Sequence, residues 1–244
     1  MRVLVAGGHG GIGKALVSHY LGIGAEVWVL THTHAETEAQ LGGDSLRLAG
    51  SLTTDWLNDP DALQNWLSDM ATGHGKPDLI VSCSGFLHDQ SHGPEKQLSD
   101  ISRDFFARNI ELNCYAHITL AQGLNKIYSR KEAFRFAALS AMVGSITDNQ
   151  LGGWYSYRIS KAALNMFIKT LSVEWKRRYP NATAVAVHPG TTDTDLSKPF
   201  QARIAEGKLY SPQLTAERLS QVFGNLTPQQ SGQLLHWDGS QLPY

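Results

Sequence analysis

The sequence predicts a doubly wound α/β fold: one parallel sheet with helices on both faces. Three observations carry this expectation. Short, β-rich apolar runs alternate with longer segments of helical spacing from one end of the chain to the other. A glycine-rich turn sits directly between the first apolar run and the first helical segment. No repeat, low-complexity tract or Pro/Gly linker divides the 244 residues, which therefore read as a single domain.

Seven strands are expected, in chain order RVLVA (2–6), EVWVL (26–30), SLRLA (45–49), DLIVS (78–82), FRFAAL (134–139), TAVAVH (183–188) and GQLLHW (232–237). Helical spacing follows the first strand in GKALVSHYLGIG and precedes the fourth in DWLNDPDALQNWLSDM. Longer helical patterns run from about 99 to 128 and from about 154 to 179. Right-handed crossovers between such strands give a seven-stranded parallel sheet of the Rossmann type.

Composition narrows the function classes. Hydrophobic residues make up 42% and charged residues 18%, enough apolar material for a sizeable core. A net charge of -1 gives no electrostatic case for nucleic acid or an anionic membrane. Two cysteines, Cys83 and Cys114, make no disulfide framework. With a strand beginning at once and no apolar run of spanning length, a cytoplasmic protein is expected. His32 and His34 lie two apart, but no cysteine or acidic cluster completes a metal site of recognised spacing, so no metal is expected.

The turn AGGHGGIG, Ala6 to Gly13, carries Gly7, Gly11 and Gly13 in the pattern G-x-x-x-G-x-G. Glycines there allow a tight turn and let backbone N–H groups approach a pyrophosphate at a helix N-terminus. Dinucleotide binding is the expectation, with Ile12 inside the motif and His9 a loop residue within reach of phosphate. The second strand ends at Thr31 and His32, followed by Thr33 and His34, where a carboxylate would mark NAD. Nothing there repels a 2′-phosphate, so NADP is expected, with NAD and a plain solvated turn left open.

Tyr157 and Lys161 are four apart at the start of a helical run and share a face, whereas Tyr155 has Ile159 at that offset. An ammonium beside a phenol favours the phenolate and makes the phenol a usable general acid. The bland alternative is a solvated pair on a helix surface.

Taken together, these motifs resemble the short-chain dehydrogenase/reductase family, its single-domain branch, nearly end to end. AGGHGGIG stands for the family's T-G-x-x-x-G-x-G and YRISK for its Y-x-x-x-K. SCSG (82–85), holding Ser84 and Gly85, stands for N-N-A-G, and HPGTTDT (188–194) for the P-G-x-x-x-T segment. The stretch VGSITDNQLGGWYSYRISKAALN and the ending WDGSQLPY look most like the C-factor-like subgroup.

The resemblance implies an NAD(P)-dependent oxidoreductase in which Tyr157 protonates a carbonyl oxygen while hydride arrives from nicotinamide. Lys161 would bind the nicotinamide ribose and tune Tyr157. Asn113, rather than Asn109 one turn earlier, would support a proton relay. Pro189, Gly190, Thr192 and Thr194 would form the nicotinamide loop. Homodimers or homotetramers are also implied.

The pattern departs in one catalytic position: the family serine after the fifth strand falls on Ala141. Ser140 is the expected replacement, with Ser145 second. This departure, with Ser82 and Cys83 in place of two asparagines, keeps open a dinucleotide-binding sensor or signalling protein with weak or no turnover. The polar segment 196–213, with Pro199 and Pro212, is expected to be a lid over a small-molecule substrate.

Overall fold

The computed structural model describes residues 1–32 and 48–244. Thr33, His34 and the start of the third expected strand lie outside the described residues.

The first crossover runs from β1 (Arg2–Ala6) through α1 (Gly11–Gly22) to β2 (Glu26–Thr31). After β3 (Leu48–Thr53), α2 (Pro60–Gly73) leads to β4 (Leu79–Ser82). The helix α2 starts where the sequence supplies both signals, Pro60 in the first turn and Asp59 accepting from the Ala62 N–H at 3.0 Å. The next connection holds α3 (Arg103–Ile110), a π-helical turn (Glu111–Tyr115) and α4 (Ala116–Ile127) before β5 (Arg135–Leu139). Then come α5 (Tyr155–Arg178), β6 (Thr183–His188), the short strands β7 (Thr191–Thr192) and β8 (Leu209–Tyr210), and α6 (Pro212–Gly224). The chain closes with β9 (Leu234–His236) and β10 (Gln241–Leu242).

The sheet order is β3-β2-β1-β4-β5-β6-β9-β10. Every pair is parallel except β9 with β10. The sheet therefore has eight strands, one more than the sequence predicts, because two residues are too few to register as a period. β7 and β8 pair parallel in a separate two-stranded sheet for the same reason. Within the expected helical run 99–128 the backbone is helical without a gap from Arg103 to Ile127, with a π-helical turn in its middle.

The alternation along each strand divides the core in two. In β1, Leu4 and Ala6 join the side covered by α2, α4 and α5, while Val3 and Val5 face α1 and α6. In β6, Ala184 and Ala186 face one side, Val185 and Val187 the other. The direction of winding reverses between β1 and β4, which are neighbours, and this opens a crevice at their carboxyl ends. No described helix is long and apolar enough to cross a membrane.

Candidate active site

Three loops meet at the crevice. The glycine turn leaves β1, and Gly7 packs so closely on the loop after β4 that a Cβ on it would lie 3.3 Å from the Ser84 N atom. A Cβ on Gly13 would lie 2.2 Å from the Gly7 carbonyl oxygen, and one on Gly11 would lie 2.4 Å from Thr194 Cγ2. The glycines are thus demanded by contact, and they bring the turn against Thr194 from the far end of the chain. α1 is preceded by Gly10 at its N-cap, with no side-chain cap and no acid in its first turn, which leaves its N-terminal N–H groups to an anion. A pyrophosphate fits this cradle. His9 borders the turn, and burial, with Lys14 and His32 nearby, holds its pKa below the ordinary value. Thr31 is buried at the end of β2, and His32 is exposed beside it, its ring edge-on to Trp56.

The second wall is α5. Tyr157 and Lys161 are both buried, at 7% and 3% exposure, and the Lys161 ammonium lies 5.8 Å from the Tyr157 ring centroid. Lys161 Nζ donates to the Leu139 carbonyl oxygen at the end of β5, at 2.9 Å. Burial lowers the Lys161 pKa to about 8, partly offset by Cys114 and Cys83. The Tyr157 pKa is not lowered, as the sequence spacing alone suggested; burial pushes it well above the usual phenol range. Desolvation outweighs the ammonium in this dry position.

Asn113 lies in the π-helical turn, fully buried. Such turns recur at functional sites because one extra residue re-aims a side chain. The Asn113 Oδ1 accepts from the Phe86 N–H at 2.7 Å. Its Nδ2 lies within 3.1 Å of the Phe86 carbonyl oxygen, Asn109 Oδ1 and Ser160 Oγ, three acceptors for two hydrogens. Ser160 Oγ in turn donates to the Tyr157 carbonyl oxygen at 2.8 Å, joining the π-helical turn to the start of α5. Gly85 completes the group: a Cβ there would lie 3.7 Å from Asn113 Oδ1 and 3.9 Å from Lys161 Nζ.

A cleft of about 920 Å³ opens between these walls, a size suited to a ligand of drug-like dimensions. Ile12, Pro189, Gly190, Thr192 and Thr194 line one side, and Leu87, Ala141, Trp154, Tyr157 and Phe200 the other. Ser140 borders it too, but its hydroxyl donates to Asn165 Oδ1 at 2.7 Å and has no second proton to give. Ser145 Oγ accepts from the Asp148 N–H and contacts Thr147 Oγ1. Ser140 thus keeps only acceptor capacity toward the cleft, and Ser145 is engaged with the 145–148 turn. At the end of an extended strand successive side chains alternate, and the position toward Tyr157 goes to Ala141, which packs on it with Leu87.

A sequence model described as short chain dehydrogenase matches residues 1–205. The chain belongs to the short-chain dehydrogenase family. Among curated relatives, a 1-hydroxy-2-glutathionyl-2-methyl-3-butene dehydrogenase of Rhodococcus sp. (strain AD45) is 32% identical over 148 residues, covering 61% of this chain and 62% of that protein. The match thus spans less than two thirds of that relative's length. The C-signal protein of Myxococcus xanthus is 27% identical over 147 residues, 60% of this chain and 83% of that protein. Among solved structures, the carbonyl reductase Sniffer of D. melanogaster shares the fold with a TM-score of 0.83 at 20% identity, over 100% and 99% of the two chains. A short chain dehydrogenase from Burkholderia cenocepacia J2315 in complex with NADP has a TM-score of 0.77 at 25% identity, over 98% and 96%.

This short-chain dehydrogenase also holds residues that no motif announced. Glu95 is buried at 3% exposure, and its carboxylate accepts from the Ser156 N–H at 3.1 Å and from the Ser156 hydroxyl. Its carbonyl oxygen accepts from the Trp154 N–H at 2.6 Å. Trp154 is the one described non-glycine residue with positive φ, at 52°, a costly conformation for a bulky side chain. Glu95 thus caps α5 from 61 residues away and fixes Trp154, whose ring lies edge-on to Tyr157 at 6.2 Å and 5.0 Å from Phe200. No local sequence signal points to this, since the burial of Glu95 is set by the packing of α5.

Proposed function

We propose that this protein is an NADP-preferring carbonyl reductase or alcohol dehydrogenase acting on a small to medium apolar substrate, with Tyr157 as general acid and base. The observation that carries the reading is the buried Tyr157–Lys161 pair on one face of α5, with Tyr157 lining a cleft and Lys161 behind it, and an opposite wall that joins the glycine turn to Thr194. Bound there, a nicotinamide dinucleotide supplies or accepts the hydride. Gly7, Gly11 and Gly13 leave room for its pyrophosphate at the uncapped start of α1, with His9 and Ile12 beside it. Ser84 and Gly85 border the same crevice, and Pro189, Gly190, Thr192 and Thr194 hold the nicotinamide end. Tyr157 gives its O–H proton to the carbonyl oxygen as the carbonyl carbon gains the hydride. Lys161 binds the ribose and steadies the resulting phenolate, and Asn113 supports the return of the proton from water.

Preference for NADP is supported by Thr31 and His32, which place no carboxylate at the end of β2. It is also supported by solved relatives described with NADP or NADPH, those of B. cenocepacia and chicken fatty liver among them. A homodimer or homotetramer is supported by α5, where Ile159, Met166 and Val173 recur every seven residues as exposed apolar side chains on one stripe.

A second reading, a dinucleotide-binding sensor or signalling protein without turnover, draws on Ala141 and on the commitment of the Ser140 proton to Asn165. One experiment separates the two: fluorescence titration with NADPH and NADH, followed by an aldehyde and ketone screen. The reductase reading expects saturable NADPH binding, weaker NADH binding and carbonyl-dependent NADPH oxidation. Binding without turnover of any carbonyl supports the sensor, and no binding of either dinucleotide overturns both.

A further inference from the structure

Around Tyr157 the cleft is apolar: Leu87, Ala141, Val143, Trp154, Leu196 and Phe200 pack about it. Among the described residues that line the cleft there is no aspartate or glutamate, and the permanent charges are Lys96 and Arg203. The chain holds 22 acidic against 21 basic residues, so a cleft with two cations and no acid departs from the balance of the whole.

Both cations are exposed side chains carried on hydrogen-bonded turns at the rim of the cleft. Lys96 follows Glu95, whose carboxylate is turned inward onto Ser156, so the acid is removed from the cleft while its neighbour lines it. The Lys96 and Gln97 N–H groups both donate to Asp100 Oδ2, and Gln97 Nε2 to Oδ1, which pins this turn; the Asp100 carboxylate also feels the Lys96 charge, which it shares with any anion in the cleft. Arg203 ends the 3-10 helix Lys198–Arg203. In that helix residues three apart eclipse, so Arg203 shares a face with Phe200, which packs on Trp154 at 5.0 Å. Gln201 ties the same helix to Asp193 and Ser197. One cation thus adjoins each half of the Trp154–Phe200 pair, and both carry donors suited to an anion.

We propose that Lys96 and Arg203 form an anion subsite at the solvent-facing rim of the substrate cleft. The natural substrate is then a carbonyl compound with an apolar body, packed on Trp154, Phe200 and Leu87, and an anionic end, carboxylate or phosphate, held by the two cations. This rests on the reductase reading and narrows it.

The test uses the full-length protein with NADPH and a series of aryl keto acids of increasing chain length, benzoylpropionate among them, each beside its methyl ester. At one chain length the acid is expected to exceed its ester in kcat/KM by about tenfold, equivalent to about 1.4 kcal/mol. The preference should shrink as salt is raised, because the pairs are partly solvated. In the double variant Lys96→Gln, Arg203→Gln the ratio of acid to ester should fall to about one, chiefly through a higher KM for the acid. Equal rates for acid and ester at every length, or a preference that survives the double variant, would overturn the subsite. A loss in the variant that tracks weaker NADPH binding would overturn it too, since the cations would then serve the dinucleotide. Turnover of neither acid nor ester, with NADPH still bound, would instead remove the reductase reading and the subsite with it.

Discussion

At the scale of single residues, Tyr157 and Lys161 were legible from their spacing, but the direction of their titration was not. Sequence shows an ammonium four residues from a phenol; only the fold shows that both are buried, so that desolvation wins. The consequence is a pH dependence set by Lys161. Its pKa falls from 10.5 in the unfolded chain to about 8 in the native protein. Between those values the unfolded chain binds the extra proton, so this residue makes native stability rise with pH from about 8 to about 10.5 and contributes no slope outside that window. Activity runs the other way if the charged lysine binds ribose: kcat/KM for carbonyl reduction should fall as pH rises through about 8. A pH–rate profile flat across that range would contradict the assignment. The serine question was half legible. Ala141 could be read directly, but whether a neighbour replaces it depends on hydrogen bonds to Asn165, Thr147 and Asp148 that no local pattern specifies.

At the scale of elements, the glycine turn was legible because strand, glycines and helix are contiguous in sequence. What sequence could not give is which glycine is closest to its limit. At Gly13 an added Cβ meets the Gly7 carbonyl oxygen, which is backbone and cannot turn away, whereas at Gly11 it meets the side chain of Thr194. Gly13→Ala should therefore destabilise the protein by about 1–3 kcal/mol and weaken NADPH binding more than tenfold. Gly11→Ala should do less of both, since it meets the Thr194 side chain at the start of a loop, whose Cγ2 can rotate and whose Cβ, at 2.9 Å, has only to shift slightly. Denaturant unfolding and NADPH titration of the two variants check the order, and equal effects would show that the turn relaxes as a whole. The run from 99 to 128 reads as one helical stretch because its apolar spacing continues through the π-helical turn. Its interior asparagines, Asn109 and Asn113, are held by Phe105, Phe86 and Ser160, two of them from other parts of the chain. The π-helical turn is a tertiary feature, and local periodicity carries no trace of it.

At the scale of the whole molecule, the doubly wound sheet followed from the alternation of apolar runs, and its switch point between β1 and β4 gathers the motifs that sequence had left far apart. The short strands β7, β8 and β10 were not legible, each being two residues long. Nor was the capping of α5 by Glu95 across 61 positions. The segment 196–213 lies over the cleft through Leu196, Pro199 and Phe200, with His88 contacting Asp195 O at 3.2 Å beside it. A lid there, as the sequence leads one to expect, predicts slower amide hydrogen exchange once NADPH is bound; equal exchange with and without NADPH would count against closure. The central claim is that Tyr157 performs the proton transfer in a site that binds the dinucleotide without it. The measurement that tests this most directly compares wild type and Tyr157→Phe for NADPH binding by fluorescence and for NADPH oxidation with the best carbonyl substrate of the screen. The account predicts unchanged binding, within about twofold, and a loss of turnover of at least about a hundredfold, the usual scale of one general acid. Turnover that survives the loss of the phenol hydroxyl would contradict it.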